Sequence, residues 1–317
     1  MYISLFPQLI AGPIVRYVDI SREIESRTID SALFKSGISR FIIGFAKKVI
    51  IANNVGLIAD KVFEGPIDEI STSLSWIGIL CYTLQIYYDF SGYSDMAIGL
   101  GKMFGFNFKE NFEHPYISKS VREFWRRWHI SLSTWFRDYL YIPLGGNRKG
   151  KYRTYVNLLI VFFLTGLWHG ASWNFIVWGL FHGFFLIIER LWTNNETKKF
   201  SILRRIYLLL VVMVGWVIFR AEDLGYAVSY IQKMFSFSDG TYRYPYLYLN
   251  TYALSVITLG VIFATPLRKA LVAKVSQIST KTTWVLALER SLYVVVFILS
   301  LLELAQTTYN PFIYFRF

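Results

Sequence analysis

Four histidines, at positions 114, 129, 169 and 182, are the residues best suited to chemistry in this sequence. They sit in a chain that is 54% hydrophobic and only 17% charged. An ionisable group among long apolar runs is costly, and it is a functional candidate for that reason. His169 lies in Thr165-Gly-Leu-Trp-His-Gly-Ala-Ser-Trp173, at the turn between two apolar segments. Gly166 and Gly170 allow close backbone approach there. A neutral imidazole at such a turn can act as a general base that takes the proton of a hydroxyl. A buried histidine hydrogen-bonded to a neighbouring helix fits the spacing equally well. His129 lies in Glu123-Phe-Trp-Arg-Arg-Trp-His-Ile-Ser-Leu-Ser133, where spacing alone favours an interfacial ring among Trp and Arg. His182 falls in mid-span and suits a helix–helix hydrogen bond. His114 precedes Pro115 and reads as a loop residue. Asp89 and Asp95 interrupt another apolar run, Ile86 to Met96. Six residues apart, they share no close helical face, and structural ion pairs suit them better than catalysis.

The elements that position these groups follow from composition. With 317 residues and 19% aromatic content, disorder is excluded. Cys81 is the single cysteine, so an intrachain disulfide and a Cys-rich zinc site are both impossible. No cluster has metal-ligand spacing, and no metal is expected. The net charge of +12 could suggest nucleic acid. The basic residues, however, lie between apolar runs, as in a membrane protein with basic cytoplasmic loops, so no nucleic-acid partner is expected. A spanning helix needs about 20 mainly apolar residues. Candidates are Leu74–Leu100, Tyr155–Trp168, Trp173–Leu191, Ile206–Phe219, Leu249–Ala264 and Trp284–Leu304. Ser36–Ala59 carries Lys47 and Lys48 and reads as a tilted or interfacial helix instead of a clean span. Between Lys102 and Arg153 stand eleven Lys and Arg against four acids, which places this segment on the cytoplasmic side. Within it Phe124, Trp125, Trp128, Leu132, Trp135, Phe136, Tyr139 and Leu140 recur at spacings of three and four. That is an amphipathic helix pattern, ended by Pro143 and Gly145-Gly146. The expectation is an all-α, multi-pass membrane protein, with the lipid bilayer as its first partner.

Several runs together carry a family resemblance. They are Phe6-Pro-Gln-Leu-Ile-Ala-Gly-Pro13, Tyr88-Asp-Phe-Ser-Gly-Tyr-Ser-Asp95, Glu123 to Trp135, Arg137-Asp-Tyr-Leu-Tyr-Ile-Pro-Leu-Gly-Gly-Asn147 and Leu167-Trp-His-Gly-Ala-Ser-Trp173. The chain resembles the membrane-bound O-acyltransferases, in particular the bacterial alginate O-acetyltransferase branch. The likeness implies one membrane domain over residues 1–317, a ring of tilted helices around a central tunnel. It also implies that the N-terminal helices usual in the family are lacking, because the first motif begins almost at Met1.

The resemblance assigns roles. His169 matches the family's catalytic histidine, acting as general base, and His129 matches its second conserved histidine. The implied reaction moves an acetyl group from a cytoplasmic thioester, acetyl-CoA, towards hydroxyls of an exported or cell-wall polysaccharide. No cofactor is held permanently. Trp168 and Asn174 would contact substrate. Asn174, Ser172 or a backbone N–H near Gly170 are candidates to receive the oxyanion. Arg126 and Arg127, with Lys119 and Arg122, could hold the donor's phosphates or anionic lipid heads. In the tail Asn310-Pro-Phe-Ile-Tyr-Phe-Arg-Phe317, Tyr314 resembles a tyrosine proposed to relay the acyl group, and an interfacial aromatic belt is the alternative. The implied partner is an extracytoplasmic acetyltransferase of the serine-hydrolase type. Two rival readings are a D-alanyl transferase of teichoic acid, and a transporter or channel with an intramembrane proton relay.

Overall fold

Helix forms wherever the apolar runs lie. The computed structural model describes residues 2–9, 12–192, 201–237, 243–267 and 283–306. Among them there is no β-strand. In chain order the helices are α1 (Tyr17–Glu25), α2 (Ser31–Phe63), α3 (Thr72–Met103), α4 (Val121–Arg127), α5 (Ile130–Phe136), α6 (Gly150–His169), α7 (Trp173–Trp192), α8 (Ser201–Arg220), α9 (Leu224–Phe235), α10 (Thr251–Phe263) and α11 (Thr283–Gln306). Three of them, α2, α7 and α8, are long and apolar enough to cross a membrane. The chain clusters into two compact units, Met1–Leu57 with Leu84–Phe112 and Thr251–Arg316, and Ile58–Thr83 with Glu113–Asn250.

In the first unit α2 extends beyond the tilted or interfacial helix expected at Ser36–Ala59. It is one continuous helical run of 33 residues. The lysines that argued against a span are neutralised by α3. Lys48 pairs with Asp89 at 2.6 Å, and Lys47 pairs with Asp95 at 2.6 Å. Arg40 reaches the same Asp95 at 2.6 Å and also pairs with Glu110. Both aspartates are therefore ion-paired, with lysines as well as an arginine. A π-helical turn, Lys47–Ala52, interrupts α2 where these pairs form. The two backbones cross closely because glycines face each other. A Cβ on Gly44 would stand 2.5 Å from the Gly92 carbonyl oxygen, and one on Gly37 would stand 2.6 Å from that of Gly99. Such small-residue crossings let membrane helices associate through close backbone packing. The Tyr88 hydroxyl donates to the Gly260 carbonyl at 2.6 Å and fixes α10 on this pair.

In the second unit α6 and α7 form an antiparallel hairpin around the Gly170 turn. Here too glycines set the spacing. A Cβ on Gly166 would lie 2.3 Å from the Phe175 carbonyl oxygen, and one on Gly179 would lie 2.2 Å from that of Phe162. The buried Asn157 side chain donates to the Gly146 carbonyl at 2.9 Å, which ties the glycine turn after Pro143 onto α6. At the end of α8, Arg220 pairs with Asp60 at 2.9 Å and lies over the rings of Phe63 and Tyr82.

The basic aromatic stretch reads as one amphipathic helix in sequence, and the structure breaks it. Trp128 is extended, and His129 adopts the left-handed region at φ 44° and ψ 56°. Two helices of seven residues result, α4 and α5, followed by a π-helical turn at Arg137–Tyr141. Helices this short are marginal alone, so their ends need partners. Ser120 accepts from the Glu123 N–H at 3.1 Å, and Glu123 reaches back to the Lys119 N–H at 2.8 Å, a reciprocal cap. The buried Glu189 carboxylate of α7 takes the remaining first-turn donors, the N–H groups of Val121 at 2.6 Å and Arg122 at 3.1 Å.

Candidate active site

His169 is the last residue of α6, placed by the Gly170 turn at φ 152°, a conformation that favours glycine. Its imidazole is half-buried. Three rings meet it edge to face: Trp168 at 4.9 Å and 80°, Trp178 at 5.1 Å and 88°, and Phe219 at 5.1 Å and 86°. Phe175 lies at 6.3 Å. Edge-to-face contacts of this kind carry a geometric preference beyond their buried area, and three at once fix the plane of the imidazole. Trp178 comes from α7 and Phe219 from α8, so three helices set one ring.

The structure brings the second expected histidine to the same place. His129 is 3% exposed, and its ring approaches Trp168 at 6.1 Å. Trp168 thus touches both imidazoles, while its outer part is 43% exposed. A left-handed non-glycine residue is uncommon, and such strain gathers at functional sites. Ser131 Oγ lies 3.4 Å from His129 Nδ1. Burial, and then the neighbouring His169 ring, push the His129 imidazole well below its ordinary value, which keeps it neutral.

Asn174 has a holding role. Its side-chain N–H donates to the Ala221 carbonyl at 2.6 Å and ties the start of α7 to the residue after α8. The Gly170 N–H donates to Leu167 at 3.2 Å. The Ser172 hydroxyl accepts a long bond of 3.4 Å from the Asn174 N–H. Tyr314 lies outside the described residues.

A cavity of about 1170 Å³ opens beside α4. Lys119, Arg122, Arg126, Arg127, Arg137, Arg190 and Arg204 line it, against Glu113, Glu123 and Glu189. Its apolar wall includes Trp125, Leu132, Phe162 and Thr165. Thr165 stands one helical turn before His169 on α6, whereas His129 and His169 are not lining residues. Trp125, next to Arg126 in sequence, packs its ring on Phe162 at 5.3 Å. Arg127 is itself held by Glu123 at 3.0 Å and by the Glu113 carbonyl at 3.1 Å. The cavity combines basic and apolar lining.

Two sets of residues escaped the sequence reading. Glu189 positions the helix that carries the cavity arginines. Its signal was an acid near the end of an otherwise apolar run, which is rare enough to need a reason. Trp178 and Phe219 wall the His169 ring. As aromatic residues in apolar helices they carry no distinguishing signal in one sequence.

Comparison with known proteins identifies the family. The model of MBOAT, the membrane-bound O-acyltransferase family, matches residues 1–224. The probable alginate O-acetylase AlgI of Pseudomonas putida is 44% identical, covering all of this chain and 68% of that protein. The peptidoglycan O-acetyltransferase of Helicobacter pylori is 41% identical over 74% of this chain and 46% of its own length. The teichoic acid D-alanyltransferase of Bacillus subtilis is 32% identical over 57% of this chain and 48% of its own. With its apolar helices, the chain is a membrane acyltransferase, and it belongs to the membrane-bound O-acyltransferase family.

Proposed function

We propose that this protein is a multi-pass O-acetyltransferase of the bacterial cell membrane. It moves acetyl from acetyl-CoA towards hydroxyls of an exported or cell-wall polysaccharide, alginate-type O-acetylation being the nearest model. The observation that carries this reading is the half-buried His169 ring, clamped edge-on by Trp168, Trp178 and Phe219 and sharing Trp168 with His129. Acetyl transferases among the relatives stand at higher identity than the D-alanyl transferases, which supports acetyl as the group moved.

In this reading an acceptor oxygen attacks the thioester carbonyl carbon while His169 takes the hydroxyl proton. The Ser172 hydroxyl steadies the oxyanion. The C–S bond then breaks, the thiolate receives the proton from His169, and an ester and a free thiol leave. General-base action supplies roughly 10²–10⁴-fold. Neutral His129 is a positioning residue, holding Trp168 from its other side. The basic cavity suits a donor rich in phosphate, since Arg groups form charge-assisted bonds to phosphate oxygens. Arg126 and Arg127 sit on its rim. An extracytoplasmic acetyltransferase of the serine-hydrolase type would receive the group, and Tyr314 would serve as its relay.

The test uses purified protein in lipid nanodiscs, supplied in turn with acetyl-CoA and with a D-alanyl carrier-protein thioester, and follows release of thiol. Turnover of acetyl-CoA that disappears in His169→Ala is the expected result. Turnover of the carrier-protein thioester alone would assign the D-alanyl reading. Proton flux in vesicles without any thioester turnover would make the protein a transporter.

A further inference from the structure

The aromatic wall around His169 does more than orient an imidazole. We infer that Trp178, Phe219 and Phe175 form an acyl-size filter that admits two-carbon acyl groups and turns away longer ones. The inference rests on His169 being the base, because the carbonyl carbon under attack then sits next to that ring. The new O–C bond forms there as the C–S bond breaks, so the rest of the acyl chain must fit in the same shell.

The wall is continuous. Trp178 and Phe219 meet at 4.9 Å, and Phe175 and Phe219 at 5.0 Å. It is also backed. Trp216 stacks on Trp178 at 6.0 Å and 18°, and it meets Phe219 at 5.7 Å. Trp178, Trp216, Phe219 and Phe175 are all 9% exposed or less. Phe175 in turn lies so near the Gly170 turn that a Cβ on Gly170 would come within 2.8 Å of its ring. Close-packed rings with second rings behind them cannot retreat to admit another methylene. The remaining edge-on neighbour, Trp168, is 43% exposed, unlike the wall rings. An acetyl methyl can lie against these rings; a propyl chain must displace one.

The experiment compares wild type with Phe219→Ala, Phe175→Leu and Trp178→Phe, each given acetyl-, propionyl- and butyryl-CoA. The readout is the ratio of kcat/KM for butyryl to that for acetyl within one preparation. A ratio of this kind is independent of the fraction folded. One methylene in an apolar pocket is worth roughly 10–200-fold in discrimination. The expectation is that wild type disfavours butyryl by about 100-fold and that Phe219→Ala recovers at least about 10-fold of it. The conservative Trp178→Phe should recover less. Wild type that transfers butyryl as readily as acetyl overturns the filter, and so does an unchanged ratio in variants that still transfer acetyl. Wild type that consumes none of the three thioesters removes the acetyltransferase reading as well, which separates the two failures.

Discussion

The crossing of α2 with α3 and the hairpin of α6 with α7 solve the same packing problem with opposite chemistry. Both bring backbones together at facing glycines or at glycines set against carbonyls. Across the first crossing run three basic side chains and two buried aspartates, all ion-paired. Around the second, an imidazole is held by rings. Paired charge fixes helices in an apolar medium but leaves each partner committed. A ring cage fixes the direction of the imidazole without a charged partner. Charged residues on the apolar helices are tied into ion pairs in one unit, and the imidazole of the other is set by rings.

The largest effect that tests this contrast is on turnover. His169→Ala should lower acetyl transfer by at least about 10²-fold while leaving the detergent melting temperature nearly unchanged. Loss of fold instead would make the ring cage a structural element. Asp89→Ala should act the other way, since breaking a buried pair by removing one partner costs about 3–5 kcal/mol. Thermal melting should show it, and the Lys48→Met/Asp89→Leu double variant should melt near wild type. An equally unstable double variant would show that the pair holds more than charge.

Gly44→Ala and Gly179→Ala sharpen the comparison at the backbone. Each methyl would collide with a carbonyl oxygen, and overpacking costs about 1–3 kcal/mol. Tolerance at one site alone would show that the two crossings differ in plasticity. Glu189→Gln keeps one oxygen acceptor and loses the charge at the start of α4. By analogy with lost helix caps, about 1 kcal/mol is expected. Hydrogen exchange at the Val121 and Arg122 amides should rise with it. Unaltered exchange would remove Glu189 as the clamp.

The smallest effect is in pH. The folded state holds the His129 ring below its ordinary value. Below about pH 6.5 the unfolded chain therefore binds a proton that the folded chain does not. Stability from this group is complete above that pH and falls as pH drops towards the folded value. The slope is at most about 1.4 kcal/mol per pH unit. Chemical unfolding at pH 7.0, 6.0 and 5.5 should show it, and His129→Gln should lessen it.

Much of this molecule is readable in the sequence. The runs Trp173–Leu191 and Ile206–Phe219 are the cores of α7 and α8, because unbroken apolar length has one use. The position of His169 at a helix end was legible because a glycine-flanked histidine stands out between apolar segments, whereas Trp168 was named only through the family resemblance. Other features were hidden for identifiable reasons. Lys47 and Lys48 disguised α2, since their partners lie more than 40 residues away on α3. The break at His129 was hidden because a left-handed residue leaves the spacing of three and four nearly intact on either side. The wall of Trp178, Phe219 and Phe175 combines residues from two helices, and a single chain carries no record of which rings will meet.

The π-helical turn at Lys47–Ala52 has a consequence for how α2 can vary. Such a turn holds one residue more than a regular helix would, so it offsets everything before it by about 100° from everything after it. Removing one residue there would straighten the helix and swing Gly37, Arg40 and Gly44 off the face that meets α3. Adding one would do the reverse. Substitutions can accumulate along this helix, but its phase across that turn has to be inherited whole.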